Sequence, residues 1–107
     1  MAYKRKNTRL PIECHGDIRR AGGDISCKVV NLCESGMLLS PETPLTVGDE
    51  LPLEFGLGKS HRIKCTIKIM RAVKSDFGAQ IVTISPEDQR YLTEYLDDYV
   101  ASNFGRY

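Results

Sequence analysis

The strongest pattern in this 107-residue chain is a period of two. Ile63, Cys65, Ile67 and Ile69 alternate with Arg62, Lys64, Thr66 and Lys68, as in a strand with one buried face and one wet face. Weaker versions precede it. Leu10, Ile12 and Cys14 alternate with Pro11, Glu13 and His15, and Ile25, Cys27 and Val29 with Ser26 and Lys28. Leu51, Leu53, Phe55 and Leu57 alternate with Glu50, Pro52, Glu54 and Gly56. Met37-Leu38-Leu39 and the run from Phe77 to Ile84 also read as extended. Between these segments stand turn-forming clusters: Ala21-Gly22-Gly23-Asp24, Ser40-Pro41-Glu42-Thr43-Pro44, Gly58-Lys59-Ser60 and Lys74-Ser75-Asp76. Short strands at regular spacing predict a closed antiparallel barrel, because closure leaves no strand edge unpaired.

After Ile84 the period changes. Ser85 reads as an N-cap and Pro86 as a first helical residue, while Glu87 and Asp88 suit the positive end of a helix dipole. Leu92, Tyr95, Leu96, Tyr99 and Val100 recur at helical spacing, so one face of a C-terminal helix can lie on the barrel. The expected organisation is one domain over 1–107: a flexible basic arm at 1–9, a barrel at 10–84 and a helix at 85–103.

Charge narrows the function. The chain carries a net charge of only +1, too little for a general nucleic-acid binder. The sign is uneven, however. Lys4, Arg5, Lys6 and Arg9 crowd the first residues without an acid among them, whereas Glu87, Asp88, Glu94, Asp97 and Asp98 gather near the other end. A cationic arm on a balanced body suits a compact anionic partner. No apolar run is long enough to span a bilayer, which argues against membrane insertion, and no apolar segment follows the early charges as in a signal peptide. Cys14, Cys27, Cys33 and Cys65 form no CxxC pair, so no metal site is expected; free thiols in a reducing cytoplasm are the plain reading. No nucleophile, base and orienting group can be assembled, which argues against an enzyme, and no cofactor is implied.

The candidate site lies at Val30-Asn31-Leu32-Cys33-Glu34-Ser35-Gly36, where a strand pattern is broken by a polar turn. Asn31 and Cys33 are two apart, so on extended backbone they share a face. Gly36 offers either a positive-φ turn or close approach of a flat ring. With guanidinium groups on the preceding arm, this set suits a guanine base and its phosphates.

The same residues resemble the signature of the PilZ domain, a family that binds the bacterial second messenger cyclic di-GMP. Arg5-Lys6-Asn7-Thr8-Arg9 matches its RxxxR, and Asn31-Leu32-Cys33-Glu34-Ser35-Gly36 matches its [D/N]xSxxG with Cys in place of Ser. The resemblance extends through Phe77-Gly78-Ala79-Gln80-Ile81 and the Ser-Pro-Glu-Asp helix start. It implies an all-β fold with one C-terminal helix, a six-stranded Greek-key antiparallel barrel. It also implies cyclic di-GMP contacts from Lys4, Arg5, Arg9, Asn31, Cys33 and Gly36, and a protein partner in motility, pilus or exopolysaccharide machinery. Cys33 would weaken one neutral hydrogen bond, on the order of 1 kcal/mol or roughly tenfold in affinity. The rival reading is a PilZ-like adaptor that binds protein and has lost the nucleotide.

Overall fold

The computed structural model describes residues 9–58 and 61–103. Six strands, β1 (Cys14–Ile18), β2 (Ile25–Leu32), β3 (Gly36–Pro41), β4 (Glu50–Leu57), β5 (His61–Val73) and β6 (Asp76–Ile84), precede a helix, α1 (Pro86–Asn103). Every pair is antiparallel, and the order β1-β2-β3-β6-β5-β4 closes on itself because β4 also pairs with β1. Strands β4, β5 and β6 form a meander. The link from β3 to β4 crosses the barrel, so that β6 returns beside β3.

The alternating apolar residues fill the interior. Phe55, Ile63, Ile67, Ile69, Val29, Leu32, Met37 and Leu39 are all fully buried, and no charged side chain is buried among the described residues. Packing of this kind, where each strand contributes one face to a shared core, supplies the main folding force. The helix closes one side of it. Ser85 Oγ accepts the N–H of Asp88 at 3.1 Å, an N-cap as the sequence indicates, and Leu92 and Leu96 are fully buried.

Three elements differ from expectation. The first strand runs from Cys14 to Ile18, later than the alternation from Leu10 suggests. Leu10 and Ile12 do point into the core, but Pro11 has no N–H to give a ladder, and Leu10 makes only an isolated bridge to Leu32. The true strand contains Gly16 and Asp17 and so has little hydrophobic signal; pairing with both β2 and β4 enforces it. Second, β2 continues through Asn31 to Leu32 rather than turning at Asn31. Third, β5 reaches Val73, well past the alternating run.

His61 is part of the contact between helix and barrel. Its ring stacks on Tyr91 with centroids 3.9 Å apart, and its Nε2 lies 3.0 Å from Asp88 Oδ1. Asp88 Oδ2 accepts the backbone N–H of Lys64 at 3.1 Å, and the Tyr91 hydroxyl donates to the Leu57 carbonyl at 3.2 Å. These contacts tie α1 to β4 and β5. Among the described residues no helix is long and apolar enough to cross a membrane.

Candidate functional site

A pair of backbone hydrogen bonds brings the two sequence motifs together. The Leu10 N–H donates to the Leu32 carbonyl at 2.9 Å, and the Leu32 N–H donates back to Leu10 at 3.0 Å. Both side chains are buried, so this bridge sits over the core and fixes the root of the arm against the end of β2. Arg9, immediately before it, is exposed and stands beside the turn that follows Leu32.

That turn is rigid. The Cys33 N–H donates to the Gly36 carbonyl at 2.9 Å, and the Ser35 carbonyl accepts the N–H of Ile81 from β6 at 2.8 Å. Gly36 does not have positive φ; the described glycines that do are Gly23, Gly48 and Gly58. The requirement is steric instead. A Cβ on Gly36 would run into the carbonyl oxygen of Ala79, so glycine lets β3 approach β6 closely.

The wall opposite comes from residues outside both motifs. At a bulge between Ile69 and Arg71 in β5, Ile69 pairs with Ala79 and Arg71 with Gly78, leaving Met70 as the extra residue. Met70 is 48% exposed, an unusual place for a large apolar side chain. The Arg71 side chain lies over Gly78: a Cβ there would come within 3.3 Å of its Cγ and Nε. Arg9, Cys33, Ser35, Gly36, Met70, Arg71, Gly78, Ala79 and Gln80 together line a cavity of about 250 Å³. Neither Arg9 nor Arg71 has a carboxylate partner among the described residues.

The expected site residues therefore divide. Arg9, Cys33 and Gly36 meet at this cavity, whereas Lys4 and Arg5 lie outside the described residues. Asn31 does not line it. A register shift between Val29 and Asn31 breaks the strict alternation of β2, so Leu32 turns into the core and Asn31 is left half-buried. Asn31 and Cys33 thus do not share one strand face: Cys33 is beyond the end of the strand. The Asn31 Oδ1 is nevertheless buried and has no hydrogen-bond partner among the described residues, an acceptor in want of a donor. Sequence reasoning missed Met70, Arg71 and Ser35. The first two carry no local motif, and only the β5 bulge aims them at the turn.

Cys27, Cys33 and Cys65 are buried and Cys14 is half-buried. All four cysteines are free. Burial pushes the Cys14 and Cys27 thiols up to about 11 and Cys65 up to about 12, which keeps them protonated near neutrality. Among the described residues no three metal-ligating side chains converge.

Known structures share this architecture. The Bacillus subtilis inhibitor of motility MotI/DgrA superposes with a TM-score of 0.77 at 17% identity over 94% of this chain, which spans only 53% of that protein. The PilZ domain of YcgR from Escherichia coli, a structure with c-di-GMP, gives a TM-score of 0.71 at 14% identity, covering 97% of this chain and 100% of that one. The PilZ domain of CeSA from a cellulose-synthesizing bacterium gives 0.65 at 11% identity, covering 87% of this chain and 98% of that one. A search among curated proteins finds no match. At these identities the likeness establishes the fold. The family is established by the sequence itself, since residues 3–98 match the PilZ domain model: the chain belongs to the PilZ domain family.

Proposed function

We propose that the protein is a non-catalytic cyclic di-GMP receptor that acts in the cytoplasm. The observation that carries this reading is the convergence, on the cavity formed by the signature turn, of two guanidinium groups, Arg9 and Arg71, that have no carboxylate partner among the described residues. A guanidinium in want of an anion can fork onto two phosphate oxygens or onto guanine O6 and N7, and it can stack on the ring. The solved complex of the YcgR domain with this ligand supports the assignment of ligand class.

At about 250 Å³ the cavity is smaller than the roughly 300–1,000 Å³ of sites that enclose drug-sized ligands. It takes part of a dinucleotide, and the remainder must be covered from outside. Lys4 and Arg5, upstream of the Leu10 bridge, are the residues proposed to close over it, with Arg5 and Arg9 embracing the ligand from one side. Closure of the arm on the ligand would change the surface around the turn and pass the signal to a protein partner in motility, pilus or exopolysaccharide machinery.

Titration calorimetry with cyclic di-GMP in low salt tests the reading. Saturable heat at tens of micromolar ligand is expected. Its absence there favours the protein-binding adaptor, the reading that Cys33 in the signature position supports.

A further inference from the structure

Arg62, Lys64, Thr66 and Lys68 keep the outward face of β5 polar, and the next position on that face is Met70, which is 48% exposed. A single exposed hydrophobe is ordinary on a protein surface. Its surroundings set this one apart. Of the large apolar side chains exposed among the described residues, Val47, Met70, Val73 and Val82, it alone lines the cavity that Arg9 and Arg71 share. The pairing of β4 with β5 ends at Lys68, and the bulge leaves Met70 out of register with β6, so no residue of a neighbouring strand stands directly opposite to cover it. Gly36, Gly78 and Ala79 on the same cavity present no more than a methyl group, so little side chain fills the space beside the thioether.

We propose that Met70 is the apolar platform on which one purine ring of the anionic dinucleotide packs, leaving Arg9 and Arg71 for its phosphates and base edges. The proposal rests on the receptor reading above and deepens it by naming what holds a base. Guanidinium groups supply charge and direction, but a purine also has two broad faces that gain by leaving water. A thioether suits such a face. It is unbranched and polarizable, its sulfur makes favourable contacts with aromatic rings, and its rotatable bonds let it follow the ring as the ligand enters. The Arg71 side chain lies over Gly78 on the next turn of the same strand, so its aliphatic stem extends this apolar surface toward β6 while its charged head stays free to fork. A base held in this way is covered on one face and open along its edge.

Calorimetry with cyclic di-GMP at several temperatures and two salt concentrations, on wild type, Met70→Ala and Met70→Leu, tests this. Met70→Ala is expected to weaken binding about three- to tenfold and to make the heat-capacity change of binding less negative, the mark of apolar surface no longer buried. Met70→Leu, which restores an apolar side chain of similar volume, should recover most of that loss. The lost contact carries no charge, so the ratio of wild-type to Met70→Ala affinity should be the same at low and high salt. Met70 is exposed, so both variants should keep the wild-type melting temperature. If Met70→Ala binds like wild type, or Met70→Leu loses as much as Met70→Ala, no ring packs on this side chain and the proposal is overturned while the receptor reading stands. A ratio that collapses at high salt overturns it in the same way, by tracing the effect to a displaced Arg71. Absence of binding in the wild type removes both.

Discussion

Two groups of arginines on one barrel have opposite surroundings. On the face formed by β1, β4 and β5, Arg19 donates to Glu54 at 2.7 Å and also pairs with Asp24, and Arg62 donates to Glu54 at 3.2 Å and to Asp17 at 3.1 Å. The Arg19 guanidinium, followed by that of Arg62, holds the Glu54 carboxyl below the usual carboxylate range against the opposing effect of its partial burial. These charges are mutually satisfied and bind the barrel's outer wall to itself. At the signature turn, Arg9 and Arg71 have no such partners among the described residues. The difference teaches where to look for a ligand: an arginine already neutralised by its own fold has little left to offer an anion.

The sharpest way to break the comparison is to remove one arginine from each group. Arg71→Ala should weaken cyclic di-GMP binding on the order of tenfold or more, as expected for loss of a charged hydrogen-bond donor, while Arg62→Ala should leave affinity within about twofold. Equal losses in a calorimetric titration would reduce the effect to general charge attraction. Because the paired face is exposed, Arg62→Ala should alter stability by no more than about 1 kcal/mol.

A second test concerns the scaffold under Arg9 and Arg71. Gly36→Ala places a methyl against the Ala79 carbonyl and should destabilise the fold by about 1–3 kcal/mol, read from the midpoint of urea unfolding. An unchanged midpoint would mean that β3 and β6 can separate at no cost, and that the cavity wall is softer than its hydrogen bonds suggest.

The smallest effect belongs to the other side of the barrel. Cys27 is raised to about 11 chiefly by burial, with further contributions from the nearby carboxylate of Asp17, itself a member of the paired face, and from Cys14. An unfolded thiol ionises near 9.0, so between that pH and about 11 the unfolded chain loses its proton first. The folded state then binds more protons, and stability falls as pH rises through this window. The melting temperature should decline there, and less steeply in Cys27→Ala. An identical slope in that variant would remove this thiol from the account.

Much of the fold was legible because period-two alternation is a local signal with a direct physical cause. Residues facing a barrel interior must be apolar, and Ile63 to Ile69 or Leu53 to Leu57 advertise this without reference to any other segment. The helix start at Ser85-Pro86 was equally local, since capping and dipole effects act within one turn. Strand β1 was displaced in the reading because Gly16 and Asp17 have no apolar signature, and their strand exists only through pairing on both sides.

The site follows the same division. The sequence alone determined that a cationic arm precedes a polar turn bearing Asn31, Cys33 and Gly36, with a spacing that resembles the PilZ signature, and that the chain belongs to that family. Only the tertiary structure decided that Leu10 clasps Leu32 and so sets Arg9 beside that turn. Only it showed that bulges turn Asn31 away and bring Arg71 in, and that Gly36 serves the approach of two strands. The reason is that a bulge or a bridge is settled by the register between strands distant in sequence, and a one-residue change of register moves a side chain to the opposite face.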